Sequence, residues 1–504
     1  MRRLLYKNSL FGLLQNILST VLLFVTIPLF IKMLGNDAYG VFVLVSIIGN
    51  LNIFTNIGLN TTLLKYISEQ GKCEESDNDI AVSLILLSIV VIFIAFLALY
   101  FNKFVLINIL NTPIDYRNDT YYLYIYLVFA NTILMIGQIA TSVLDAQQKI
   151  YITNSLQILY NFLYWGLLMI FLLLKMGLKE IGIAILIAAI IWFITIHYYA
   201  YKHWGLIKFK GSFKNLKRII KKQTSLGFQV YIAGLVGFFN EPITKIFISQ
   251  FIGVGFVSFF DIALKFRNQL WGLFGKAFHP LTPYISQLKE EEKIKNLITD
   301  LEQKLLFFSA PIVVIFISCI NAFISLWIGN NVQIISISCS FIVSGYLIFS
   351  IPVLPIYVYL MVKGKPLKTI IIQLLNVFIN SVLFFVFLNI LGYYSIIVAN
   401  FGAVFFSFLL CLYYQKKYLN STIFETFNKL VKLVSLFFIL LFCSFVLHLI
   451  VNDNLLILII IPICLLSISL LLFKYMVFFS KEDIIKYFGE NNIVSNLTLK
   501  ILLK

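Results

Sequence analysis

The chain has 504 residues, 61% of them hydrophobic, 16% aromatic and 12% charged, whereas a soluble domain is roughly 45–50% apolar and about 25% charged. That excludes a soluble globular protein and points to an integral membrane protein. The net charge of +17 invites a nucleic-acid reading, which the placement of the basic residues removes.

A hydrocarbon core about 30 Å thick needs about 20 apolar residues per helix. Runs of that kind fall near 10–31, 41–63, 80–101, 121–144, 152–174, 181–201, 225–250, 254–280, 305–328, 334–361, 367–391, 393–414, 430–451 and 455–478, fourteen in all. They are continuous and about twice the ten-residue alternating segments of a transmembrane barrel, so they predict an all-α protein. The first run follows Arg2, Arg3 and Lys7. It is too long for the apolar region of a signal peptide and lacks a small-residue cleavage site, so it predicts a retained helix.

Gln15 and Asn16 lie in the first run, and Asn161 and Trp165 in the fifth. The second run carries Asn52, Asn56 and Asn60 at i, i+4, i+8, one stripe along a helix face. Each amide offers two donors and two acceptors, suited to a polar ligand or to neighbouring helices. Pro28, Pro242 and Pro280 predict kinks, because each lacks the amide hydrogen its turn needs.

The stretch "YKHWGLIKFKGSFKNLKRIIKKQ" at 201–223 holds eight basic residues, with no acid between Glu180 and Glu241. It predicts an amphipathic linker on the membrane surface, or a site that gathers anionic lipid headgroups. With the N-terminus in the cytoplasm, Lys and Arg concentrate in cytoplasmic segments, the positive-inside bias. Nucleic acid is needed by neither reading.

The seventh and eighth runs are unusual in holding Glu241, Lys245, Asp261, Lys265, Arg267 and Lys276. Charges at a helix centre cost about 2.5–3.5 kcal/mol each and usually face a cavity and one another. At 1.5 Å per residue, Glu241 and Asp261 lie about 13 Å and about 10 Å from the outer helix ends, a shared depth. Glu241 with Lys245, and Asp261 with Lys265, are spaced i,i+4 and predict two self-neutralising pairs, leaving Arg267 and Lys276 as surplus cation. The alternative is that all six only lock the two helices together.

Six cysteines, at 73, 319, 339, 411, 443 and 464, form no CxxC pair. No disulfide framework, metal site, cofactor site or catalytic group is predicted.

The segments "LLKYISEQ" at 63–70 and "LTPYISQL" at 281–288 stand 218 residues apart. The same offset aligns Gly35 with Gly253, Phe42 with Phe260 and Asn50 with Asn268, seven identities over 34 positions without a gap. Six runs precede the basic linker and six follow it, so each copy returns to the same orientation. The predicted plan is two parallel six-helix lobes, 1–200 and 224–415, joined by the linker 201–223, with two further helices and a cytoplasmic tail in 416–504. Parallel repeats about an axis along the membrane normal are a known transporter plan, with substrate between the lobes and alternating access by rocking.

The stretch "LFIKMLGNDAYGVFVLVSIIGNLNIFTNIGLNTTLLKYISE" resembles the opening helix pair of the polysaccharide-biosynthesis flippases, with Leu34-Gly35, Tyr39-Gly40 and Gly58-Leu59 at the family's positions. "LDAQQK" at 144–149 is similar to their cytoplasmic turn after the fourth helix, and "PYISQL" to their eighth-helix exit. These proteins belong to the multidrug, oligosaccharidyl-lipid and polysaccharide exporter superfamily. The resemblance covers about 1–415. It implies movement of polyprenyl-diphosphate-linked oligosaccharide, such as an O-antigen or capsule repeat unit of the lipopolysaccharide kind, from the cytoplasmic to the outer leaflet, beside a polysaccharide polymerase and assembly proteins. The seventh helix departs from the family: where an Asp often leads the apolar run, this chain has "NEPITKIFI". Glu241 and Asp261 are the candidates for coupling to a proton or sodium ion.

For such a substrate, Arg267 is the first choice to bind the diphosphate, because a desolvated guanidinium makes paired hydrogen bonds to phosphate oxygens. Lys265, Lys276 and Lys245 are further candidates, and the Asn52, Asn56, Asn60 stripe matches sugar hydroxyls. A drug or cation exporter, or a peptidoglycan-precursor flippase, would share the fold. A membrane glycosyltransferase or polymerase is a further alternative. It would need catalytic groups on a sizeable outside loop, and the longest here is "FNKFVLINILNTPIDYRNDT", with Asp115 and Asp119. The expected place is a bacterial inner or plasma membrane with both termini cytoplasmic, the abundance of Ile, Lys, Asn and Phe suggesting an AT-rich genome.

Overall fold

A computed structural model describes residues 2–47, 59–207, 239–278, 285, 290–363, 365–421 and 427–475. It divides into two compact units, Met1–Asp261 and Ile262–Lys504. Among the described residues the secondary structure is helical, and eleven helices are long and apolar enough to cross a membrane. They match eleven of the fourteen expected runs. Of the other three, 41–63 and 225–250 lie partly outside the described residues, and 254–280 is the charge-bearing run.

Unit 1 contains α1 (Arg2–Ser46), α2 (Leu59–Gln70), α3 (Glu74–Tyr100), α4 (Arg117–Ala146), α5 (Ile150–Leu173), α6 (Leu178–Trp204), α7 (239–251) and the first part of α8 (Val254–Phe278). α1 runs through Pro28 and breaks at Gly35, whose φ of 88° and ψ of 170° are outside the helical region. Glycine takes positive φ at little cost. Gly253, its counterpart at the 218-residue offset, also has positive φ, at 142°, between α7 and α8.

Small residues set the close helix approaches, as they do in membranes generally. α4 lies along α6, where a Cβ on Gly137 would come within 2.5 Å of the Trp192 ring and one on Gly182 within 2.9 Å of Tyr126. Two polar ties fix helix ends. Trp204 Nε1 donates to Asp77 Oδ1 at 2.7 Å, joining α6 to α3. Thr153 Oγ1 donates to Asp145 Oδ1 at 2.7 Å, closing the "LDAQQK" turn. Large apolar side chains such as Ile89, Phe93 and Phe96 are left outward on α3, as a lipid-facing helix requires.

Unit 2 contains the rest of α8, then α9 (Glu291–Trp327), α10 (Val332–Gly345), α11 (Leu354–Val362), α12 (Pro366–Leu391), α13 (Tyr394–Leu419), α14 (Phe427–Ile450) and α15 (Asn454–Tyr475). The apolar run 334–361 is not one helix: a π-turn at Tyr346–Ser350 and a break precede α11. Pro352 and Pro355 fall there, and each removes a backbone donor. α9 begins well before its apolar run. Its first half buries Ile294, Ile298, Glu302 and Leu306, one residue every fourth position, in a core shared with Cys411, Tyr414, Leu436 and Leu465. α12 and α13 pack as a pair, with Gly402 against Leu383.

Candidate functional site

α7 and α8 form a hairpin about Gly253. Lys245 stands eight residues before it (253 − 245) and Asp261 eight after (261 − 253), so the turn brings the two level. Lys245 Nζ donates to Asp261 Oδ1 at 2.7 Å, with side-chain exposures of 11% and 6%. Tyr39, on the segment of α1 beyond the Gly35 break, donates its hydroxyl to Asp261 Oδ2 at 2.9 Å. Its ring is buried with its edge toward Phe30, centroids 5.2 Å apart.

Glycine makes this convergence feasible. A Cβ on Gly40 would stand 2.2 Å from the Val254 carbonyl oxygen, and one on Gly255 would stand 2.3 Å from Asp37 Oδ1. The start of α8 therefore packs directly on α1 beside Tyr39. The far end of α7 is held by the segment before α4: Asn111 Nδ2 donates to the Ser249 carbonyl at 3.2 Å, Ser249 Oγ to the Leu110 carbonyl, and Gln250 Nε2 to the carbonyls of Asn108 and Ile109 at 3.0 Å.

Lys245 is engaged across the hairpin with Asp261, an interhelical pair that the i,i+4 spacing did not include. The reason is the turn: side chains level across a two-helix hairpin meet head-on in the buried seam, while i,i+4 partners share one face. Glu241 and Lys265 are half-buried, and each makes an interaction. A buried ion pair costs several kcal/mol per ion in desolvation, recovered only when hydrogen bonds satisfy the remaining lone pairs. The Tyr39 hydroxyl supplies such a bond, and sequence reasoning missed it. The available signal was Tyr39-Gly40 itself, a phenol beside a glycine in the paired repeat segment.

Arg267 is half-buried on α8, its Nη2 donating to Asn268 Oδ1 at 2.8 Å. Lys276 and Asn60 lie on described helices, but their side chains, like Asn52 and Asn56 altogether, are outside the described residues. So are the "PYISQL" segment apart from Ile285, Pro280 and most of the basic linker. Asn161 bridges helices: its Nδ2 donates to Ser19 Oγ at 2.5 Å, joining α5 to α1, and it accepts from Gln157 Nε2 at 3.3 Å. Among the described residues no group of three His, Cys, Asp or Glu side chains could hold a metal ion.

The family model described as "Polysaccharide biosynthesis protein" matches residues 5–289. Among solved structures, the chain is similar to the lipid II flippase MurJ in an inward closed conformation, at 18% identity and a TM-score of 0.72, covering 92% of this chain and 98% of that one. It is also similar to an inward-facing multidrug resistance MATE family transporter of the MOP superfamily, at 17% identity and a TM-score of 0.65, covering 80% of this chain and 94% of that one. A MOP superfamily transporter from Pyrococcus furiosus matches at 17% identity and a TM-score of 0.55, over 82% and 94% of the two chains. At these identities the likeness is one of fold: all-helical and membrane-spanning. No curated protein sequence matches the chain.

Proposed function

We propose, because the chain belongs to the polysaccharide biosynthesis protein family, that it is a flippase carrying polyprenyl-diphosphate-linked oligosaccharide from the cytoplasmic to the outer leaflet by alternating access. The family match over residues 5–289 carries this reading. Arg267 is the residue we assign to the diphosphate, with Lys265 and Lys276 adding positive charge on the same helix. A half-buried guanidinium offers planar paired donors to phosphate oxygens. Lys245, being salt-bridged to Asp261, is assigned to the scaffold in this state. Asn52, Asn56 and Asn60 are assigned to sugar hydroxyls, and Glu241 and Asp261 to ion coupling. The duplicated two-lobe plan belongs to the same proposal, supported by the positive φ of Gly35 and Gly253 and the burial of Ile67 and Ile285.

Arg267→Ala tests the assignment in cells lacking the native gene. Surface glycan should be lost while membrane abundance stays near normal, and Arg267→Lys should restore it only in part, since an ammonium keeps the charge without the planar geometry. Normal abundance with normal glycan display would remove Arg267 from the site.

A second reading, transport of a peptidoglycan precursor, is favoured by the fold likeness to a lipid II flippase over 92% of the chain. Rescue of cells depleted of their own precursor flippase would favour it, and failure there with rescue of glycan display would favour the first. Orientation has a native reporter. Cys73 is exposed between α2 and α3, and hydrogen bonding to Ser76 pulls its thiol below the ordinary range. An impermeant maleimide should label it only from the cytoplasmic side, and labelling from outside would reverse the proposed direction.

A further inference from the structure

Glu302 presents a second buried carboxyl, far along the chain from the first and with no cation on it among the described residues. It lies on α9 and is 0% exposed, as is Gln415 on α13. Gln415 Nε2 donates to Glu302 Oε2 at 2.6 Å and reaches Ser421 Oγ at 3.4 Å. Glu302 Oε1 and Gln415 Oε1 are both buried without a hydrogen-bond partner among the described residues, and so is Thr299 Oγ1, three residues earlier on α9.

The charged groups nearby are turned to other partners. On α9, Lys304 pairs with Asp300 at 2.8 Å, while Glu291, Glu292 and Lys293 are exposed. Lys365, just before α12, sits 3.4 Å over the Tyr418 ring, Lys368 on α12 lies 5.9 Å from the Tyr414 ring, and Lys417 on α13 caps Tyr413 and Tyr418. Lys432 on α14 is half-buried and makes an interaction of its own. The other titratable groups around this core, Tyr359 on α11 and Cys411, Tyr414 and Tyr418 on α13, are uncharged in their ordinary protonated forms.

An ionised carboxylate here would face several kcal/mol of desolvation with one neutral amide in return. Among the described residues the arrangement lacks a hydrogen: two acceptor oxygens, one on each side chain, have no donor. A proton on Glu302 Oε1 supplies it, and the Gln415 carbonyl is available as acceptor, giving an acid and an amide two complementary bonds. A metal ion would need more oxygens than these three. We infer that Glu302 and Gln415 form a proton-binding site in unit 2, with Glu302 holding the proton in this conformation and surrendering it when water reaches the carboxyl. This inference does not depend on which lipid-linked substrate the protein moves.

The test is infrared difference spectroscopy on the purified full-length protein in detergent at neutral pH. The spectrum of wild type minus Glu302→Gln should contain a protonated-carboxyl C=O band that shifts in D2O, with circular dichroism unchanged and the melting temperature not lowered by the substitution. Because the unfolded chain ionises this acid while the folded chain keeps it protonated, the wild-type melting temperature should fall as pH rises, and the Gln variant's should fall less. A difference spectrum showing only carboxylate bands at neutral pH overturns the proposal. If Glu302→Gln does not accumulate, Gln415→Leu reads the same group: it keeps the carboxyl, removes its partner and should move the band to higher frequency, so an unmoved band is equally fatal. Stabilisation of wild type but not Glu302→Gln by sodium chloride over potassium chloride would mark a sodium site and also reject the proton.

Discussion

Asp261 in unit 1 and Glu302 in unit 2 are both carboxyl groups withdrawn from solvent on long helices, yet their surroundings differ in kind. Asp261 receives an ammonium at 2.7 Å and a phenol at 2.9 Å. Glu302 receives one amide at 2.6 Å, with an oxygen of each partner left over among the described residues. The first is stabilised as an anion by a fixed countercharge and the second, on our proposal, by giving up its charge. A cation on a neighbouring helix is a rigid solution, whereas a proton can leave and return without moving a side chain.

The difference is sharpest if the countercharge is removed. Lys245→Met removes one partner of the buried Lys245–Asp261 ion pair and should cost about 3–5 kcal/mol, seen as near-total loss of the protein from membranes by immunoblot. Adding Asp261→Leu should restore abundance. The parallel change in unit 2, Glu302→Gln, should leave abundance unaltered, and if both units responded equally the contrast would fail. Next in size, Tyr39→Phe deletes only the hydrogen bond to the Asp261 carboxylate and should cost about 1.5–3 kcal/mol, read as a lower melting temperature in detergent. Asn161→Ala sets the baseline for a neutral seam. Interhelical hydrogen bonds in membranes average about 0.6 kcal/mol, so its melting point should move least.

Much of this was legible in the sequence, and the misses have physical causes. Eleven of the fourteen apolar runs reappear as spans, because burial in lipid constrains hydropathy over whole helices. The Lys245–Asp261 pair was legible in principle, since both stand eight residues from Gly253, but i,i+4 spacing within each helix offered an equally good electrostatic solution. The tight turn adds a partner that spacing within one helix cannot show. Glu302 was hidden differently. By hydropathy the apolar run starts near 305, whereas α9 starts at Glu291 with an amphipathic half in which every fourth residue is buried. Residue 302 falls on that stripe with Ile294, Ile298 and Leu306, so a polar residue in an apolar register was the overlooked signal. The Asn52 and Asn56 stripe lies outside the described residues and stays a proposal.

The short turn between α7 and α8 also bears on how the chain enters the bilayer during synthesis. A lysine or aspartate near a helix centre adds about 2.5–3.5 kcal/mol to insertion, so each of the two charges, Lys245 and Asp261, weighs against moving its own helix into the lipid phase alone. Held level with Lys245 across a tight turn, the two charges can partition together as one neutral pair. The hairpin, rather than the single helix, is therefore the smallest piece of the chain within which these two charges can meet.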